Sequence, residues 1–184
     1  MDSAVDSAVG SAVRTPLLIS EHKYLTSIYH PDREYDEGEL QRRNWGERPH
    51  SILQGEFAAY LHDLRKRCGI QVFIGQRICV APHKYRIPDV CVYKEPAPRD
   101  NIFNTPPFIA IEILSPEDRV SRVRKKVDEY LALGVAYVWL VDPYRRSADV
   151  YTALHIYSPV DSILRTEDPA IEVPLAELFQ AIDE

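Results

Sequence analysis

The chain has 184 residues, of which 45% are apolar and 27% charged, and a net charge of −6. That length fits one domain able to bury its own core, and the composition is that of an ordinary globular protein rather than a disordered or fibrous one. No apolar run approaches the ~20 residues of a membrane-spanning helix, and the acidic balance lends no support to a nucleic-acid partner, whose binders usually carry basic surface.

Residues 1–13 read MDSAVDSAVGSAV, with Ser-Ala-Val three times. Two acids and no basic n-region make a poor signal peptide, and the repeats are too short for a solenoid. Residues 1–14 are therefore expected to be a disordered or weakly helical tail, leaving 15–184 as a single folded domain. Ser20 to Tyr29 predicts a short helix capped by Ser20, with Tyr24, Leu25 and Ile28 on one face and Pro31 ending it. Asp36-Glu37-Gly38 predicts the turn of a hairpin. A longer helix is expected from about Pro49 to Arg67, because Ile52, Leu53, Phe57, Tyr60, Leu61 and Leu64 follow the 3.6-residue period; Gly69 stops it.

Strands are expected at Ile70–Ile74, Arg77–Val80 and Val90–Tyr93, followed by a loop from Lys94 to Pro107 that holds four prolines. Phe108 to Leu114 is apolar apart from Glu112 and reads as a buried strand. Ser115-Pro116-Glu117-Asp118 has the form of a capping box, which predicts a helix from there to Leu133 with Gly134 as its stop. Strands at Tyr137–Val141 and Val150–Tyr157 and a last helix at Leu175–Ile182 complete the chain. Strand, helix and strand from 108 to 141 imply a parallel pair joined by a right-handed crossover, and hence an α/β fold. Cys68, Cys79 and Cys91 are widely spaced, odd in number and without a C-x-x-C pair. This argues against a disulfide framework or a zinc site and for buried free thiols in a reducing, cytoplasmic compartment.

Glu112 is the most informative residue. A carboxylate inside a buried strand costs several kcal/mol unless it is paired or bound to metal. It is either a strand-end glutamate reaching solvent or an arginine, or a ligand at the carboxyl end of a strand, where α/β proteins place their sites. Asp89 follows Pro88 at the start of the strand Val90–Tyr93. Alone it reads as turn chemistry; with Glu112 on a neighbouring strand it offers oxygen ligands for Mg²⁺ or Mn²⁺. The crossover helix supplies Arg122, Arg124, Lys125 and Lys126. At about 100° per residue, its buried stripe runs through Val120, Val123, Val127, Tyr130 and Leu131. Lys126 lies about 60° from Val123, at the stripe's edge, and Lys125 on the solvent side. Lys126 can pack its stem and turn its ammonium inward over the strand ends, or simply snorkel.

RIPDV (86–90), IEILSPEDR (111–119) and KVDEYLALGVAYVWLVDP (126–143) resemble the Uma2 family of endonuclease-like proteins, formerly a domain of unknown function. EYDEGEL (34–40) followed by His50 also resembles the family's N-terminal hairpin and first long helix. The resemblance covers roughly residues 15 to 182 and implies a PD-(D/E)XK nuclease: a restriction endonuclease-like fold, with a mixed central sheet flanked by helices and an N-terminal helix and hairpin. It implies metal-dependent cleavage of nucleic acid, DNA foremost, with Asp89 and Glu112 as metal ligands and Lys126 as the catalytic cation, and it is compatible with a homodimer. The plain signature would place its lysine at 114, where this chain has Leu114; the resemblance puts it on the following helix, at Lys126. Glu39 and Glu47 are further candidate acids, and His50 reads as a packed, hydrogen-bonded histidine. Two rivals stay open at this point: a non-catalytic binding module on the same fold, and an oligomer-forming protein in which Glu112 pairs with an arginine across a dimer seam.

Overall fold

The computed structural model describes residues 18–43 and 46–184; the expected tail at 1–14 lies outside them. The elements run α1 (Glu21–Thr26), β1 (Arg33–Asp36), β2 (Glu39–Arg42), α2 (Arg48–Cys68), β3 (Ile70–Ile74), β4 (Ile78–Ala81), β5 (Lys84–Arg86), β6 (Val90–Lys94), β7 (Ile109–Ile113), α3 (Val120–Leu133), β8 (Tyr137–Asp142), β9 (Ser147–Tyr151), β10 (Ile156–Tyr157), β11 (Ile163–Thr166), β12 (Ile171–Pro174) and α4 (Leu175–Gln180). A six-stranded sheet in the order β10-β9-β8-β7-β6-β3 forms the centre, and a four-stranded sheet, β2-β1-β5-β4, stands beside it. The central sheet is mixed: β7 and β8 are parallel across the α3 crossover, and the other pairs are antiparallel.

Period-two alternation sorts the central strands between two cores. Ile109, Ile111 and Ile113 of β7, Val90 and Val92 of β6 and Trp139 and Val141 of β8 pack with Leu53, Phe57 and Leu61 of α2. Ala110, Cys91, Tyr93 and Val138 point the other way, to Val127 and Tyr130 of α3. Glu112 shares the parity of Ala110, so the same alternation turns it toward α3.

A third cluster explains how the N-terminal hairpin is held. Tyr35 stacks on Tyr24 of α1, with ring centroids 4.9 Å apart, and both meet Tyr85. Tyr35 takes that face of β1, so Glu34 and Asp36 take the opposite one. The two-residue turn Glu37-Gly38 has φ of 49° and 104°. This left-handed pair is the geometry that joins twisted strands tightly, and it suits glycine at the second position.

Several expectations are corrected. The helix foreseen from Ser115 begins only at Val120. The Ser115 amide does donate to the Asp118 carboxylate (2.7 Å), and the Asp118 amide to the Ser115 carbonyl (3.0 Å). These bonds close one isolated turn, and an extended Arg119 then precedes the helix. Val120, expected in the stripe, is 78% exposed, and Ile28, expected on the face of α1, is 84% exposed because α1 ends at Thr26. The strand expected from Val150 to Tyr157 is two strands. Thr152 Oγ1 accepts the amides of Leu154 and His155 and folds the chain back between them. The three-residue β5 and the β11–β12 hairpin were not anticipated, being too short to show a period.

Candidate active site

Asp89 and Glu112 are brought together by strand register. β6 and β7 pair antiparallel with Val90 opposite Ile111. Asp89 precedes Val90 and Glu112 follows Ile111, so both stand where this ladder ends, and there the Asp89 amide donates to the Ile111 carbonyl at 3.1 Å. The start of one strand and the end of the other therefore share a sheet edge. There both residues line a hollow of about 50 Å³, whose other walls include Arg43, His50, Leu114, Arg122 and Lys126.

Asp89 is buried and fully engaged. Its Oδ2 accepts the Ile113 amide (2.8 Å) and faces His50 Nε2 (3.2 Å), while Oδ1 meets the Arg43 guanidinium. Gln54 of α2 holds the Asp89 carbonyl at 2.9 Å. Burial opposes its charge, but His50 and Arg43 outweigh that and hold the carboxyl below its usual range. His50 is 8% exposed. Burial disfavours its protonation, yet the Asp89 hydrogen bond and charge prevail and raise its pKa. Among the described residues its Nδ1 has no hydrogen-bond partner.

Glu112 accepts the Lys126 ammonium on Oε2 (2.6 Å) and the Tyr130 hydroxyl on Oε1 (2.7 Å). Burial pushes its carboxyl up to about 7; Lys126 opposes the shift, whereas Asp89 and Glu34 add to it by like-charge repulsion. Lys126, expected at the stripe's edge, has a side chain 12% exposed and also reaches Glu34 at 2.9 Å. Lys125, expected in solvent, is half-exposed but ion-paired with Asp36.

Glu34 is the residue that sequence reasoning missed. It is 0% exposed and is held by Lys126, by Arg122 at 3.4 Å and by the Ile87 amide at 3.2 Å. Its neighbour Asp36 meets Arg86 (3.0 Å) and Lys125, and Arg86 is forked onto Glu129 of α3 at 2.6 and 2.9 Å. The signal was available: acid, aromatic, acid in Glu34-Tyr35-Asp36 puts two carboxylates on one face of a strand whose other face is apolar. Arg43 and the hydroxyl of Tyr130 carried no such signal. Glu39 and Glu47 are exposed, away from the hollow; Glu47 accepts the Tyr144 hydroxyl at 2.7 Å.

The donor set can be tested against a divalent cation. Among the described residues no group of three or more His, Cys, Asp or Glu could hold a metal ion, so a closed protein cage of the zinc kind is not formed there. Two carboxylates beside space for a few waters match a hard cation that keeps much of its hydration, as Mg²⁺ does. The mutual repulsion of Glu112, Asp89 and Glu34 is what a bound cation would relieve. The residues fit Mg²⁺ or Mn²⁺. Three cations, Arg43, Arg122 and Lys126, line the hollow against three carboxylates, Asp89, Glu112 and Asp118, so the formal charge there is balanced although the whole chain is acidic.

The sequence matches the model of the Uma2 family, described as "Putative restriction endonuclease", over residues 27–181. No curated protein sequence matches it. Among solved structures it is similar to that of a putative nuclease belonging to DUF820 from Anabaena variabilis, with a TM-score of 0.77 and 24% identity over 89% of this chain and 99% of that one. The cryo-EM structure of a DrdV–DNA complex overlaps with a TM-score of 0.43 and 14% identity over 76% of this chain and 12% of that one. Among the described residues no helix is long and apolar enough to cross a membrane. The mixed sheet between helices is the restriction endonuclease-like α/β fold, and the chain belongs to the Uma2 family.

Proposed function

We propose that this protein is a cytoplasmic, divalent-metal-dependent endonuclease that hydrolyses phosphodiester bonds in nucleic acid, DNA foremost, and works as a homodimer. The observation that carries the reading is the meeting of Asp89, Glu112 and Lys126 at one sheet edge. Asp89 and Glu112 hold Mg²⁺ or Mn²⁺. The metal supplies Lewis-acid stabilisation of phosphoryl oxygens and a water of lowered pKa. Asp89 stays ionised because Arg43 and His50 neutralise it from behind. Tyr130, raised well above its ordinary pKa by burial and by Glu112, keeps its proton and orients the Glu112 carboxylate. Lys126, protonated between two carboxylates, orients the attacking water or offsets the charge that develops on the phosphoryl group. A homodimer would present one such site to each strand of a duplex.

The test is incubation with supercoiled plasmid, single-stranded DNA and RNA, with and without Mn²⁺, and Glu112→Ala as control. Cleavage that needs both the metal and Glu112 is expected; cleavage by Glu112→Ala at the wild-type rate would refute the assignment. One observation favours a second reading, a non-catalytic nucleic-acid- or protein-binding module: protein donors already engage every carboxylate oxygen of Asp89 and Glu112. A calorimetric titration showing no Mn²⁺ binding would support that module instead.

A further inference from the structure

Lys126 reaches the hollow from a helix, and a lysine on a flexible four-carbon stem must be held if its ammonium is to stay over the strand ends. One of the carboxylates that hold it belongs to the proposed metal pair. With a cation held by that pair, Glu112 would direct its charge to the metal, and the ammonium would need a second anion that is not a ligand. Glu34 stands there. Its Oε1 lies 2.9 Å from Lys126 Nζ, and its side chain is 0% exposed, with no access to water. The Ile87 amide fixes that same oxygen from the strand β5 side, and Arg122, one turn before Lys126 on α3, meets the other.

The placement is built into the hairpin. Tyr35 is locked in the tyrosine cluster, so β1 cannot slip by one residue without burying Glu34 among aromatic rings. Asp36, two residues on, is tied to Arg86 and to Lys125, the residue before Lys126 on α3. Two acids of one strand thus grip successive cations of α3, and the inner one grips the lysine of the site.

We infer that Glu34 is a positioning residue of this active site, which holds the Lys126 ammonium against the metal-binding edge while Glu112 serves the metal, so that the β1–β2 hairpin is part of the catalytic apparatus. The inference rests on the proposed nuclease reading for its kinetic consequence. Its geometric content, that Glu34 fixes the ammonium, does not need it.

The experiment combines two readouts on Glu34→Gln, Lys126→Met and the double variant. In single-turnover cleavage with Mn²⁺, Glu34→Gln is expected to lose about tenfold or more in rate, and to add less than about twofold when Lys126 is already Met. Independent, multiplicative losses in the double variant would overturn the inference, because a purely structural glutamate has no reason to act through Lys126. In ¹⁵N NMR of the metal-free protein, the Lys126 ammonium should give a slowly exchanging signal that is lost in Glu34→Gln. An unchanged signal would overturn the inference even if no substrate is ever cleaved, whereas loss of the signal without any wild-type cleavage would sink the nuclease reading and leave the clamp standing. If Glu34→Gln does not fold, Glu34→Asp keeps the charge and withdraws it by one methylene, and the same two criteria decide.

Discussion

Asp89 and Glu112 line one hollow at the end of the β6–β7 ladder, where the Asp89 amide donates to the Ile111 carbonyl and the Asp89 carboxylate accepts the Ile113 amide. The two acids carry different surroundings. Asp89 is held ionised by Arg43 and His50, whereas Glu112 is pushed up to about 7. Removing either ligand should therefore have different structural costs. Glu112→Gln is expected to abolish Mn²⁺ binding with a small change in melting temperature. Asp89→Ala is expected to abolish it and to destabilise the fold by about 3–5 kcal/mol, because it strands a buried guanidinium. Calorimetry with Mn²⁺ and urea unfolding of both variants check this; retained metal binding in either would count against the ligand pair.

Lys126 balances two carboxylates, one of them without any exposure. Lys126→Met is expected to slow cleavage by about 10²–10⁴-fold and to lower stability in the metal-free state, since Glu34 then keeps only the Ile87 amide and the longer Arg122 contact. Added Mn²⁺ should recover part of that stability through the neighbouring site. The checks are single-turnover rates and melting curves with and without the ion.

Acid stability should depend on Asp36. Burial opposes its charge, but Lys125 and Arg86 bring its carboxyl down to about 2, from an ordinary 3.8. A depressed folded pKa contributes stability that is complete above the unfolded value and is lost as pH falls through the folded one. The urea midpoint of Asp36→Asn should therefore lie below that of the wild type at pH 5, and the gap should close as pH falls from about 4 to 2. A gap that stays constant over that range would contradict the ion-pair origin.

Glu112 acts with the opposite sign. Its folded pKa lies above its ordinary value of 4.5, so the native state binds more protons than the unfolded chain between 4.5 and about 7. Without metal, stability should decline as pH rises across that window, and Glu112→Gln should remove that part of the slope. Urea midpoints from pH 4.5 to 8 in the presence of a chelator measure it, and identical slopes for the two proteins would be the adverse result.

Phe57 is fully buried against Trp139, with ring centroids 6.5 Å apart. It lies on the face of α2 that backs the central sheet. Phe57→Ala should cost about 3–5 kcal/mol by the cavity it leaves. Circular dichroism during urea unfolding reads this directly, and a loss below about 1 kcal/mol would mean that the sheet collapses onto α2.

Much of the layout was legible in the chain. The period of Leu53, Phe57 and Leu61 marked α2, and its end at Gly69 followed. The lone acid in an apolar run marked Glu112, and helix geometry singled out Lys126 over Lys125. These signals are local: a repeat along one element, or a residue that contradicts its neighbours. Val120 and the late start of α3 were misread because a capping box looks the same whether it opens a helix or closes a single turn.

What the sequence determined by itself was the set of elements with a long enough period and the residue types able to do chemistry, because both depend on bonds along the chain. Only the tertiary structure decided that Glu34, 88 positions before Arg122, would lie beside Lys126, and that Arg43 and His50 would stand behind Asp89. A buried charge has to find a counter-charge wherever packing brings one, and the pairing of distant charges leaves no period to read.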